Sequence, residues 1–391
     1  MIAQGPTPES DATIGLTLEL TTPPPMIDSE GGTVELVEID GQNYRIHSFT
    51  EVGSHAFEVT SGSGEIDVLV VAGGGGGAGS SNNRWGGGGG GAGGVIETTI
   101  PITSGAIPIQ VGDGGAGAVG VGEFSGQGES SVFGDLIAIG GGNARGQNQT
   151  GDGGSGGGGA PISSDSFVPY RGLALQPDSP SGGYGHPGGL GTLDIGTNRA
   201  GAGGGGAGAP GSDAAPGQGG HGGAGHGTAI SGTWTYYGGG GGGSGQSSAG
   251  SGGIGGGGDG GRNTDGSPGA PNTGGGGGAS SLGDPHQGGD GGSGIVIVRV
   301  PVPAEQGSTP QSSSTRVTMS WPAHASSPQL SWVPQPNASY VLQVSDDLES
   351  WHNANEVFHA NEAAAEILHS IQVLEAPRQF YRLVEISPKT D

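Results

Sequence analysis

Asp67-Val68-Leu69-Val70-Val71-Ala72-Gly73-Gly74-Gly75-Gly76-Gly77 decides how the chain is read, because an apolar strand runs without a break into pure glycine. Ile66 with Val68, Leu69, Val70 and Val71 forms a near-continuous apolar run, the pattern of a strand buried on both faces. The glycines that follow offer no side chain to either face, only backbone donors and acceptors. The same junction recurs in reverse where Gly292-Ser293-Gly294 leads into Ile295-Val296-Ile297-Val298-Arg299-Val300. An apolar strand so late in the chain needs an existing sheet to join. The glycine-rich stretch between, about residues 140–293, is therefore expected to be an insertion with both ends pinned in one β-sandwich.

Working outward, strands are expected at 33–39, 42–49, 55–59, 65–71, 95–100, 107–111, 130–133, 136–139 and 295–300. Asp40-Gly41 between the first two is a hairpin signal. Further pure runs lie at 86–91, 203–206, 238–243, 255–258 and 274–278. With 96 glycines and 26 prolines in 391 residues, disorder is the reading that the expected pinning opposes. Collagen is excluded, since the runs are pure glycine of variable length without a Gly-X-Y register. In a left-handed extended helix, six glycines span about 19 Å at ~3.1 Å per residue, close to the length of an ordinary strand. An isolated run cannot recover the entropy of ordering glycine. A bundle in which each helix shares hydrogen bonds with several neighbours comes nearer to balance, with side chains expected only on its outer helices.

The strings 67–77, 86–96 and Ile109-Gln110-Val111-Gly112, with the closing 292–299, resemble the glycine-rich domain of bacterial surface proteins and phage tail adhesins over about residues 31–300. The resemblance implies an all-β fold: a jelly-roll-like β-sandwich fused to an inserted bundle of type II polyglycine helices. It also implies receptor contact through loops at the helix ends. Residues 160–200 depart from it in a long Pro- and Ser-containing excursion.

Residues 301–314 form a linker by composition. Glycine then all but vanishes, and short strands are expected at 316–321, 329–333, 340–345 and 379–385, with 362–374 open between helix and strand. The strings 340–351 and Gln379-Phe380-Tyr381-Arg382-Leu383 resemble a fibronectin type III-like module, placed at 315–391, in which Trp321, Trp332 and Trp351 are expected to fill the core. Residues 1–30 are the odd piece, an N-terminal extension. There Ile14, Leu16, Leu18 and Leu20 alternate with Gly15, Thr17, Glu19 and Thr21 ahead of Pro23-Pro24-Pro25. This detached strand either folds back on its own domain or adds to a neighbouring subunit's sheet, the route by which strand donation builds filaments.

A net charge of −25 with a single lysine, Lys389, argues against nucleic acid and anionic membranes as partners. No cysteine is present, so neither a disulfide framework nor a thiolate site can hold the fold. No segment reads as a membrane span, and residues 1–10 lack the regions of a signal peptide. Four Gly-Asp-Gly-Gly tetrads, at Asp113, Asp152, Asp259 and Asp290, are read as carboxylates accepting from the following amides, with calcium the minor alternative and no other cofactor expected.

Catalytic motifs in glycine-rich sequence arise by chance, and His186, His221, His226 and His286 show no carboxylate pairing or zinc-like spacing. No catalytic or metal residue is assigned and no enzyme is expected. The aromatics Trp85, Tyr170, Tyr184, Trp234, Tyr236 and Tyr237 stand in breaks of the glycine pattern and are the expected contacts to a glycan or protein receptor. The expectation is an extracellular structural or adhesive surface protein. The alternatives are a filament subunit, in which Ile14, Leu16, Leu18 and Leu20 contact the next copy, and an ice-binding protein.

Overall fold

The computed structural model describes residues 27–79, 86–119, 125–144, 151–161, 170–192, 198–280 and 286–302, together with the backbone of seven strands after residue 316. The chain divides into two units, residues 25–303 and residues 1–24 together with 304–391. The glycine-rich unit contains β1 (Asp28–Glu30), β2 (Thr33–Ile39), β3 (Gln42–Phe49), β4 (Gly53–Val71), β5 (Val95–Val111), β6 (Ser131–Phe133), β7 (Leu136–Ala138), β8 (His226–Thr228), β9 (Thr235–Tyr237) and β10 (Ile295–Val302). Every strand pair in it is antiparallel.

The strands expected at 55–59 and 65–71 are one strand, β4, and those at 95–100 and 107–111 are one strand, β5. Together they make a long hairpin running from Gly53 opposite Val111 to Val71 opposite Val95, with a register break between Val59 and Ser63. The half that contains Val71 carries β10, then β3, then β2; the half that contains Gly53 carries β1 on one flank and β6 and β7 on the other. The two halves fold over one core, where Phe57 and Phe133 meet Val68, Val296 and Val298. The late strand joins the sheet, as expected, and lies between β3 and β4, with Val298 opposite both His47 and Val68.

Alternation explains the continuous apolar run. Val68 and Val70 point into the sandwich core, while Leu69 and Val71, with Ile295 and Ile297, point to the opposite face. That second face is covered by the β8–β9 hairpin, which contributes Ile230 and Tyr237. A strand buried on both faces needs apolar residues at every position.

His47 is fully buried in the first core, edge-on to Phe57 at 5.0 Å between ring centroids. Its Nδ1 lies 2.8 Å from the Gly31 carbonyl, which can only accept, so Nδ1 carries the proton and Nε2 accepts from the Ser29 hydroxyl at 2.9 Å. Burial pushes the His47 pKa below the ordinary histidine value, outweighing the Gly31 hydrogen bond, and the Arg45 charge adds to the lowering. Between that depressed value and about 6.5 the unfolded chain holds a proton that the folded one lacks, so stability falls as pH drops through this window. The thermal midpoint should decrease from pH 7 to pH 5, and His47→Gln should flatten part of that slope. An unchanged slope in the variant would place the titration elsewhere.

The glycine runs form a bundle with threefold logic. From Gly73 to Ala78 successive amides donate to Glu129, Gly292, Gly91, Gly126, Gly289 and Gly88, so residues three apart reach the same neighbour. The carbonyls of the same six residues accept from Gly141, Gly115, Gly277, Ala144, Ala118 and Ser280. One extended helix is thus bonded to six neighbours, the polyglycine II arrangement, and all its backbone polar groups are satisfied. The run 239–244 repeats the pattern against segments around 255–258, 220–223, 87–90, 276–279, 250–253 and 201–204.

The expectation that side chains occur only on outer helices is corrected. Ala78, Ala92, Ala202 and Ala279, with Ser244 and Ser280, are fully or almost fully buried inside the bundle. A methyl fits where it points into a gap shared with other small groups. Gly87 marks such a gap, since a Cβ built there would meet the methyls of Ala78 and Ala279. Ser244 also serves its neighbour, its Oγ accepting from the Gly87 amide at 2.6 Å.

At the edge of the bundle one direction in three has no neighbouring helix, and two residue types close it. Pro187, Pro210 and Pro268 sit between residues whose amides point inward, where the proline's own missing N–H would have faced outward. Aspartates cap other outward amides across to the adjacent helix: Asp152 takes Leu173, Asp213 takes Leu190, Asp259 takes Gly252 and Asp290 takes Gly117, each at 2.7 Å. Only Asp113 behaves as the tetrads suggested, accepting from the following Gly114 amide at 2.8 Å. In the others the carboxylate reaches sideways, as a side-chain cap does at the start of an α-helix.

In the C-terminal unit, β11 (Val317–Ser320), β12 (Gln329–Trp332) and β16 (Ile367–Ser370) form one antiparallel sheet. In the other, β13 (Ser339–Ser345) pairs with β14 (His352–Asn353) and β15 (Phe358–His359) and, in a separate ladder, with β17 (Phe380–Ile386). The open stretch 362–374 therefore contains a strand. The whole described chain is all-β.

Candidate partner-binding surface

The β8–β9 hairpin brings the expected aromatics to the surface and sorts them by strand alternation. His226 pairs with Tyr237, Gly227 with Tyr236 and Thr228 with Thr235. Tyr237, His226 and Thr228 face the sheet. Tyr237 is only 7% exposed and packs with Leu69, Val71 and Ile297, so its assignment as a partner contact is corrected: its ring anchors the hairpin. Burial raises its hydroxyl pKa above the ordinary tyrosine value.

His226 donates from Nε2 to Glu97 Oε2 at 2.7 Å, and the Thr228 hydroxyl donates to Glu97 Oε1 at 2.6 Å. Both bonds hold the hairpin to β5. The absence of paired carboxylates read around the histidines is therefore wrong for His226; Glu97 lies 129 residues away in sequence, beyond any local pattern. His286 likewise lies 3.3 Å from Asp265. The hydrogen bond from His226 is the main cause that holds the Glu97 carboxyl below its ordinary range, against the effect of burial. The Tyr184 ring stacks on His226 at 4.0 Å and 18°, while its backbone exchanges hydrogen bonds with Val95.

On the outer face, Trp234 is 63% exposed and Tyr236 is 40% exposed, set edge to face at 6.2 Å. Gly227 lies beneath them, and a Cβ there would come within 2.8 Å of Trp234 Cζ2 and 3.0 Å of Tyr236 Cε1. The two rings therefore close directly over bare backbone. Below the pair, Ile230 is buried in the second core and the tip residue Gly232 abuts Val37 of β2. The result is an exposed aromatic pair on a hairpin whose other face is anchored.

Tyr170 is exposed beside Gly159 on the bundle instead. Trp85 and the strand carrying Ile14, Leu16, Leu18 and Leu20 lie outside the described residues. No group of His, Asp and Glu able to hold a metal ion occurs among the described residues.

The glycine-rich domain family model matches residues 50–301, most of the chain, with all of the hairpin and bundle and all but the last residue of the closing strand. The chain belongs to this glycine-rich domain family. The family match spans both halves of the sandwich hairpin together with the insertion. No curated protein matches the chain.

Proposed function

We propose that this glycine-rich domain protein is an extracellular, non-catalytic attachment protein whose polyglycine bundle is a rigid scaffold for the aromatic surface on the β8–β9 hairpin. The supporting observation is the Trp234–Tyr236 pair, exposed on one face of a hairpin that Ile230, Tyr237 and the Glu97 bonds lock down on the other. Rigid aromatic rings present large contact area with little conformational entropy to lose, the property shared by glycan-stacking and protein-binding surfaces. The acidic charge disfavours phosphate backbones and favours a neutral partner, such as a sugar face. In this reading the two antiparallel sheets after residue 316 are a fibronectin type III-like spacer.

A Trp234→Ala/Tyr236→Ala chain should lose at least about thirtyfold in affinity on a glycan array or on immobilised surface polysaccharide, as expected for hot-spot aromatics of about 2 kcal/mol. Its thermal midpoint should barely move, because exposed substitutions shift stability by ~0.5 kcal/mol or less. Binding that survives both substitutions would remove the hairpin from the proposal.

A further inference from the structure

The two ends of the eight-stranded sheet are finished differently. At one end β7 has three residues, and the Ile137 amide is already taken by the Ser181 hydroxyl at 3.0 Å. At the other, β2 has seven residues, pairs through β3 alone, and carries Glu35 and Glu38 but neither lysine nor proline. Proteins ordinarily blunt such an edge by shortness, charge or cover, because a row of unpaired amides and carbonyls is a template for another strand. β2 is left open on a side chain level as well. Val34 lies opposite His47 and Leu36 opposite Arg45, so both share the face that enters the sandwich core, yet they are 45% and 74% exposed. The core face of β2 extends past the cover available to it.

We propose that the free edge of β2 is a docking site for residues 14–20 of a second copy of this chain, added as a further strand. The segment matches the acceptor in kind: Ile14, Leu16, Leu18 and Leu20 recur every second residue and would continue the Val34–Leu36 face, with Thr17 and Glu19 turned to the other side. Its attachment favours a neighbour. Ile27, next to β1, is buried against Gly64, and the Pro23-Pro24-Pro25 sequence two residues before it favours extended backbone over the tight reversal that a fold-back onto β2 of the same copy would need. Each copy then offers one strand and one edge. This contact is heterologous and head-to-tail, and it propagates into a filament unless a ring closes. The inference stands apart from the aromatic surface, which lies on the opposite face of the sheet.

Because the chain has no cysteine, the contact can be read by pairing introduced thiols. A full-length chain carrying Leu16→Cys is mixed with one carrying Leu36→Cys under mild oxidation, with Ile137→Cys on the capped edge as the control partner. A mixed disulfide dimer with Leu36→Cys, at least tenfold over that with Ile137→Cys, is the expected result. Leu36→Glu should convert higher-order species to monomer in sedimentation without lowering the thermal midpoint, since the site is exposed. The proposal is overturned if Leu16→Cys links equally to both edges. It is also overturned if a chain carrying both Leu16→Cys and Leu36→Cys closes its disulfide within one molecule while the separate chains do not join.

Discussion

A Gly240→Val chain is expected to be about 3–5 kcal/mol less stable than its parent, at the upper end of what one substitution does. Gly240 donates to Gly223 and accepts from Gly253 inside the run 239–244. A Cβ added there falls against the carbonyl oxygen of Gly204 and within 2.8 Å of that of Gly205. In an ordinary core an added methyl is absorbed partly by rotamer changes in its neighbours. Here the neighbours are backbone, with no rotamer to change. Relief requires sliding a whole helix, which breaks bonds on its other sides. Ala116→Val, exposed on an edge helix, should shift stability by only ~0.5 kcal/mol. Denaturant midpoints compare the two, and amide exchange should be slow across 201–207 and 274–280 in the parent and fast in Gly240→Val. Equal midpoints for the two variants would mean that no lattice of this kind holds the chain.

Much of this architecture is legible in the residues themselves. β2 and β3 fall where alternation and Asp40-Gly41 place them, and that turn has positive φ at both residues, 51° and 79°. The Ile295 strand is readable because an apolar stretch has no other way to be buried. What local pattern misreads are the bends. Gly62 and Gly105 have the composition of turns, yet Ser63 pairs with Thr103 and Gly64 with Ile102 straight past them. Their positive φ values, 86° and 141°, bend the hairpin where two separate strands would otherwise have ended. The partner surface is legible as composition and illegible as geometry. Tyr236 and Tyr237 are equivalent as adjacent aromatics, but three-residue strands carry too little periodicity to reveal that one faces solvent and the other the core. Glu97 with His226, and the aspartates that cap adjacent helices, are contacts between segments far apart in sequence. Only the folded lattice puts them side by side.

Sheet and bundle should also fail together, which Val298→Asp tests most severely. Val298 is buried in the central strand between β3 and β4. An unpaired carboxylate there costs several kcal/mol by desolvation, enough to unfold most domains of ordinary stability. If the bundle were self-sufficient, exchange protection at 201–207 would outlast the loss of the sheet. The bonding predicts otherwise. Residues just before β10 enter the lattice directly, Gly292 accepting from Gly74 and Ser293 from Gly274, while Gly294 donates to Gly112 at the end of β5. The first run, 73–78, is likewise the continuation of β4 past Ala72. Both strands that lead into and out of the bundle are thus set by the sheet, and glycine has the largest conformational entropy to lose once that anchor goes. Protection at 65–71 and at 201–207 should therefore disappear in one transition, at the same denaturant concentration. Two separated transitions would show that backbone hydrogen bonds alone sustain the glycine helices.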